Sequence, residues 1–168
     1  DIGRAGTLTN LGTAALIQGY GGVLVGADGT VTNASTIGST QGGDGVALRF
    51  TGGNARLIDD PGAVFAGTVN GDGTAVLELA SAGGAGAITD LGGSVTNFTS
   101  LVFDAGAQWT VAGDDSDAGL GTLGIGGFTL GDTIDLTGVA AGNSKCASNT
   151  LVVTDCGGGH GTLSIQGS

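Results

Sequence analysis

One five-residue unit constrains this chain more than any other feature. Gly-[Thr/Ser]-[Val/Leu]-Thr-Asn occurs as Gly6-Thr7-Leu8-Thr9-Asn10, as Gly29-Thr30-Val31-Thr32-Asn33 and as Gly93-Ser94-Val95-Thr96-Asn97. The first two copies are 23 residues apart and the last two 64, close to three intervals of about 21. Gly67-Thr68-Val69-Asn70 keeps part of the unit, and strand-like runs at Val46 to Phe50, Ala75 to Leu79 and Ser100 to Phe103 alternate apolar with small or polar residues. Short strands recurring near every 20 residues, separated by Gly-Asp or Gly-Gly turns, predict an all-β parallel β-solenoid. A single coil cannot bury its own inner face, whereas stacked coils pair edge to edge and align their inward side chains in ladders.

Composition agrees with this reading. There is one Glu (Glu78), one Lys (Lys145) and no Met, while Gly and Thr, which disfavour helix interiors, are abundant. Helix is therefore not expected. Hydrophobic residues still make up 40% of the 168 positions, too many for a disordered chain. Only 4% are aromatic, so the interior is expected to be narrow and filled by Ala, Val, Leu and Ile, with Trp109 and the Phe residues as plugs at coil edges. The 38 Gly supply the positive φ that corners require.

The Asn that closes each unit is expected at a coil corner, in the left-handed conformation, bonded to its neighbours above and below. Asn10, Asn33 and Asn97 would then form one structural ladder. Asn33-Ala34-Ser35 and Asn97-Phe98-Thr99 also fit the glycosylation acceptor pattern, but the repeat alone accounts for the same letters. Beyond Asp114 the texture changes to a Gly-rich bridge, Gly119 to Gly127, with strand candidates at Phe128 to Leu136, Thr150 to Thr154 and Thr162 to Ile165. Residues 1–113 read as the solenoid repeat region, and 114–168 as a continuation of the same stack with longer Gly/Asp-rich loops.

Fifteen acidic residues against four basic ones give a net charge of −11, which repels phosphate backbones and argues against nucleic acid as a partner. Most Asp residues adjoin Gly (Asp28, Asp44, Asp72, Asp132) and read as turn formers. No apolar run approaches the roughly 20 residues of a membrane helix, so no transmembrane segment is expected. The opening Asp1-Ile2-Gly3-Arg4 carries no basic-then-apolar leader, which reads as a mature chain or a fragment.

The Gly-Thr-Val-Thr-Asn units, the Gly29 to Ile37 stretch and Leu130-Gly131-Asp132-Thr133-Ile134-Asp135-Leu136 together resemble passenger domains of bacterial autotransporters and related haemagglutinin-like surface proteins. That resemblance implies a right-handed parallel β-helix displayed outside the cell, at the bacterial surface or secreted, and acting in adhesion, aggregation or biofilm formation. Its partners would be a host or neighbouring cell surface, a glycan, or other copies of itself. No membrane barrel accompanies the repeats in this sequence.

In an exported chain with no other Cys, Cys146 and Cys156 most simply form a disulfide. If Thr150 to Asp155 is extended it spans roughly 16 Å, so Cys146 must fold back over most of that length, and a bridge between two chains stays open as the alternative.

Some β-helix proteins cleave polysaccharides with facing carboxylates. Asp59-Asp60, before Pro61-Gly62, and Asp114-Asp115-Ser116-Asp117 both read as loops, and neighbouring residues on a strand point to opposite faces, so neither doublet makes a facing pair. Catalysis is not expected. Asp114, Asp115 and Asp117, and the Gly42 to Gly45 turn, offer oxygen ligands for a weak calcium site, but Asp does not recur at nine-residue spacing and solvated turns explain these residues better. His160, the only His, has no second nitrogen ligand and gives no zinc site. The sequence thus points to a structural or adhesive surface protein, with a filament subunit joined through strand edges and a polysaccharide-active enzyme as the alternatives.

Overall fold

The computed structural model describes residues 1–41 and 45–137, together with the backbone of Lys145–Ala147 and Thr150–Val152. No helix occurs among them, and the chain winds as a parallel β-solenoid of about six turns. Each full coil contributes one short strand to each of three columns.

The first column is the most regular. It stacks β1 (Thr7–Asn10), β4 (Thr30–Asn33), β7 (Arg56–Asp59), the second half of β9 (Thr68–Leu79), the second half of β11 (Val95–Phe103) and β13 (Gly124–Gly126), all parallel. Leu8, Val31, Leu57, Leu77, Leu101 and Ile125 lie in register up this column. Apart from the partly buried Leu8, all are buried, and all six belong to or pack against one continuous core. Each such side chain contributes roughly 1.5 to 3 kcal/mol of burial, set against the entropy of ordering its strand. Successive rungs are 23, 26, 20, 24 and 24 residues apart. Coils are therefore longer and less uniform than a 20-residue period.

The second column contains β3 (Val23–Gly26), β6 (Val46–Thr51) and the first parts of β9 and β11, with Val23, Leu48, Val69 and Val95 in register. The third begins with β2 (Leu16–Gly19), β5 (Thr36–Ser39) and β8 (Val64–Ala66), where Ile17, Ile37 and Phe65 align. It resumes with β10 (Gly86–Leu91), β12 (Trp109–Asp114) and β14 (Thr133–Thr137), where Ile88, Val111 and Ile134 align. Between β8 and β10 no ladder forms. β15 (Lys145–Ala147) and β16 (Thr150–Val152) pair antiparallel with each other.

The aromatics are not edge plugs. Phe50, Phe98, Phe103 and Trp109 are all buried in the core. Glycines on neighbouring coils make the room: a Cβ on Gly71 would press on the Phe98 ring, and one on Gly86 would press on the Trp109 indole. Across the space at Gly71, Phe50 and Phe98 meet edge to face at a centroid distance of 6.3 Å. Trp109 donates its indole N–H to the carbonyl of Ala80. Low aromatic content therefore reflects a small number of large inward residues and not an interior too narrow for them.

Between the second and first columns the chain turns through residues with left-handed backbone: Ala5, Asp28, Asn54, Asp72 and Asn97, with φ between 56 and 60°. Asp28 and Asn54 occupy this corner because their short polar side chains tolerate αL and hydrogen-bond locally. The Asn54 amide donates to Asp28 Oδ1, and Arg4 Nε donates to Asp28 Oδ2 at 2.9 Å. Those two donors, Arg4 first, hold the Asp28 carboxyl below its ordinary range.

Candidate functional site

β1 and β4 end in Asn10 and Asn33, and the inward alternation that buries Leu8 and Val31 also turns these two side chains inside. They are register partners, and Asn10 Nδ2 donates to Asn33 Oδ1 at 2.8 Å. Asn33 Oδ1 also accepts from the Ser35 amide, while Asn10 Nδ2 reaches the carbonyl of Thr36. Neither Asn10 nor Asn33 has a positive φ, so this pair stands at strand ends and not at a left-handed corner. At 0% exposure Asn33 cannot accept a glycan in the folded chain.

Asn97 does not join them. It lies at the left-handed corner, its amide bonded to the carbonyl of Ala118, one residue past the pairing of Thr96 with Asn70. The third copy of the unit therefore belongs to the second column and the first two to the first, and a separation of 64 residues is not a whole number of coils. The next rungs above Asn33 are Asp59, Leu79 and Phe103.

Asp59 is thus the third polar rung. It ends strand β7, with 6% of its surface exposed, and is not a loop residue. Its Oδ1 has no hydrogen-bond partner among the described residues, and neither has Nδ2 of Asn33 on the rung below. Burial pushes the Asp59 carboxyl up to about 8, with the charge of Asp60 adding to the effect. Asp60, in the following turn, is raised by its own burial and by the charge of Asp104. The sequence carried a signal for this placement: in Arg56-Leu57-Ile58-Asp59 the period of two that turns Leu57 inward turns Asp59 inward as well.

Asp59 also lines an open crevice of about 140 Å³ where the third column is interrupted. Ala63 and Phe65 of the β8 side, Ala87, Ile88, Thr89 and Asp90 of the β10 side, and Gly67, Ser94 and Val95 complete its wall. Asp90 Oδ2 accepts the amide of Ser94 at 2.8 Å. Among the described residues no Lys or Arg lines the crevice.

The remaining candidates are placed as follows. Asp114 Oδ1 accepts both the amide and the hydroxyl of Ser116, which closes a turn at the end of β12. Asp114, Asp115 and Asp117 do not converge, and no group of three metal-ligating side chains forms among the described residues. The side chain of Cys146, together with Cys156, His160 and the Gly42 to Asp44 turn, lies outside the described residues. Among the described residues no helix is long and apolar enough to cross a membrane.

The fold defines the class, a three-column parallel β-solenoid. Comparison with protein-family models, with curated proteins and with solved structures finds no match for the chain.

Proposed function

We propose that this chain is a structural or adhesive protein of the cell exterior, without catalytic activity, that presents a stiff, repetitive surface to a host or neighbouring cell, a glycan, or other copies of itself. The observation that carries this reading is the unbroken inward column from Leu8 to Ile125, which ties six coils into one core. A rod of this kind repeats its outward side chains at intervals of about 4.8 Å, so weak contacts to a patterned surface add together. Short hydroxyl side chains brace one coil against the next: Ser35 donates to the carbonyl of Ala15, Ser39 to that of Tyr20, and Thr51 to that of Val25. The net charge of −11 favours contact with uncharged or cationic surfaces over phosphate-rich ones.

Beads coated with the purified chain test the reading. Attachment to cells or to a glycan array is expected to exceed that of beads coated with an acidic globular control and to rise steeply with coating density. Attachment equal to the control on every surface overturns it.

A filament subunit is favoured by one feature, the exposed apolar side chains of the first coil, where Leu11 and Leu16 are each 59% exposed and Tyr20 78%. Concentration-dependent sedimentation supports that role, and a chain that stays monomeric at high concentration removes it.

A further inference from the structure

Four facts meet at the break in the third column. The crevice holds a carboxyl group, Asp59, that is more than nine-tenths buried and has an oxygen with no hydrogen-bond partner. Its wall combines the apolar side chains of Phe65, Ile88 and Val95 with the polar ones of Thr89, Asp90 and Ser94. Among the described residues no basic side chain serves it: Arg4 pairs with Asp28, Arg56 pairs with Glu78, and Arg49 is exposed on β6, outside the crevice wall. Finally, among the described residues no three metal-ligating side chains converge there, so the site offers the buried Asp59 carboxyl with the exposed Asp90 at its wall and not a cage for a divalent ion.

We propose that the crevice between β8 and β10 binds a primary alkylammonium ion, with the ammonium seated on the Asp59 carboxylate and the methylene stem lying along Phe65, Ile88 and Val95. An unpaired charge in such a place is costly, whereas a charge paired with a cation and wrapped by a hydrocarbon stem is the arrangement that long amines adopt at protein surfaces. Asn33, on the rung below, is neutral and its Nδ2 makes no hydrogen bond to the carboxylate, which leaves the charge unbalanced. Size fits as well: a cavity of ~150 Å³ accommodates a six-carbon ring, and n-butylammonium has five heavy atoms. Thr89 and Ser94 add hydroxyl groups at the wall for the remaining ammonium hydrogens. The shared chemistry comes from either of two sources, a free small amine or the lysine side chain of a protein partner.

Titration of the whole chain with n-butylammonium chloride, followed by amide NMR and calorimetry, tests this. Saturable binding is expected, with shifts centred on Ala87, Ile88 and Thr89. n-Butanol, of the same size and neutral, is expected to bind at least about tenfold more weakly. Because the ammonium requires the ionised carboxylate, binding at pH 6 releases about one proton and binding at pH 9 releases almost none. Asp59→Asn, which stays compatible with its Asn33 neighbour, is expected to reduce affinity about tenfold or more. Ala63→Leu, which fills the crevice from the opposite wall, is expected to abolish binding without touching the carboxylate. Binding of Nα-acetyl-lysine methylamide as tight as that of n-butylammonium identifies a partner's lysine as the ligand, and binding of n-butylammonium alone identifies a free amine. Absence of saturation by n-butylammonium, or unchanged affinity in Asp59→Asn, overturns the proposal.

Discussion

Asp59 makes the chain's stability depend on pH in the sense opposite to most carboxylates. Its folded value lies near 8 against about 3.8 for the unfolded chain, so between those limits the folded state holds a proton that the unfolded state has lost. Unfolding therefore becomes easier as pH rises from about 4 through about 8, and the loss is complete above that range. The charge of the neighbouring Asp60 reinforces the trend by raising the Asp59 carboxyl further. Urea melts at pH 5 and pH 8.5 are expected to differ by roughly 2 to 5 kcal/mol. Asp59→Asn is expected to remove most of that difference and to be the more stable protein at pH 8.5. An Asp59→Asn chain whose pH profile matched the parent would show that the buried carboxyl is not its source.

At the level of strands and turns, two adjacent glycines separate conformational need from mere abundance. Gly22 has φ +62, and a Cβ there would run into the carbonyls of Val46 and Ala47 on the next coil, which are backbone and cannot move aside. Gly21 has nothing within 4 Å. Gly22→Ala is expected to cost more than about 2 kcal/mol and Gly21→Ala less than about 0.5, read from paired denaturant melts.

Much of the strand pattern was readable because alternation fixes which side chains turn inward: Val31 and Leu57 could be assigned from their own strands alone. The columns were less readable. Coil lengths range from 20 to 26 residues as corners lengthen and shorten, so counting in units of 21 carried Asn97 to the wrong column. The pair Thr-Asn also has two structural meanings. In Thr32-Asn33 the Asn ends a strand facing inward, and in Thr96-Asn97 it turns a left-handed corner so that Phe98 can enter the core. Asp59 escaped notice because an acidic doublet before Pro-Gly looks like any solvated turn until the column partner, Asn33, is known.

For the whole molecule, charge and the broken column matter most. Among the described residues two ion pairs link neighbouring coils, Arg4 with Asp28 and Arg56 with Glu78, and most of the acidic excess is left to repel itself. Raising NaCl from 10 to 500 mM is expected to raise the melting temperature by a few degrees, and a fall would show that attraction between coils outweighs this repulsion. Hydrogen exchange is expected to expose the gap directly. Gly86 donates its amide to Gln108 on the coil above, whereas the alternate residues Ala87 and Thr89 face β8 across the gap. Their amides are expected to exchange faster than those of Gly86 and Ile88 by tenfold or more.

The same interruption sets how the solenoid bears a load. Where β3, β4 and β5 meet β6, β7 and β8, and again where β9 and β10 meet β11 and β12, force along the axis is shared by three rows of backbone hydrogen bonds, but between β8 and β10 only the first and second columns carry it. Pulled end to end, the rod is weaker at that level than at the fully paired levels on either side of it. It would part there before those neighbouring levels, into a lower piece ending with β8 and an upper one starting with β9, joined by the chain at Gly67, so that one joint yields while the coils on either side stay wound.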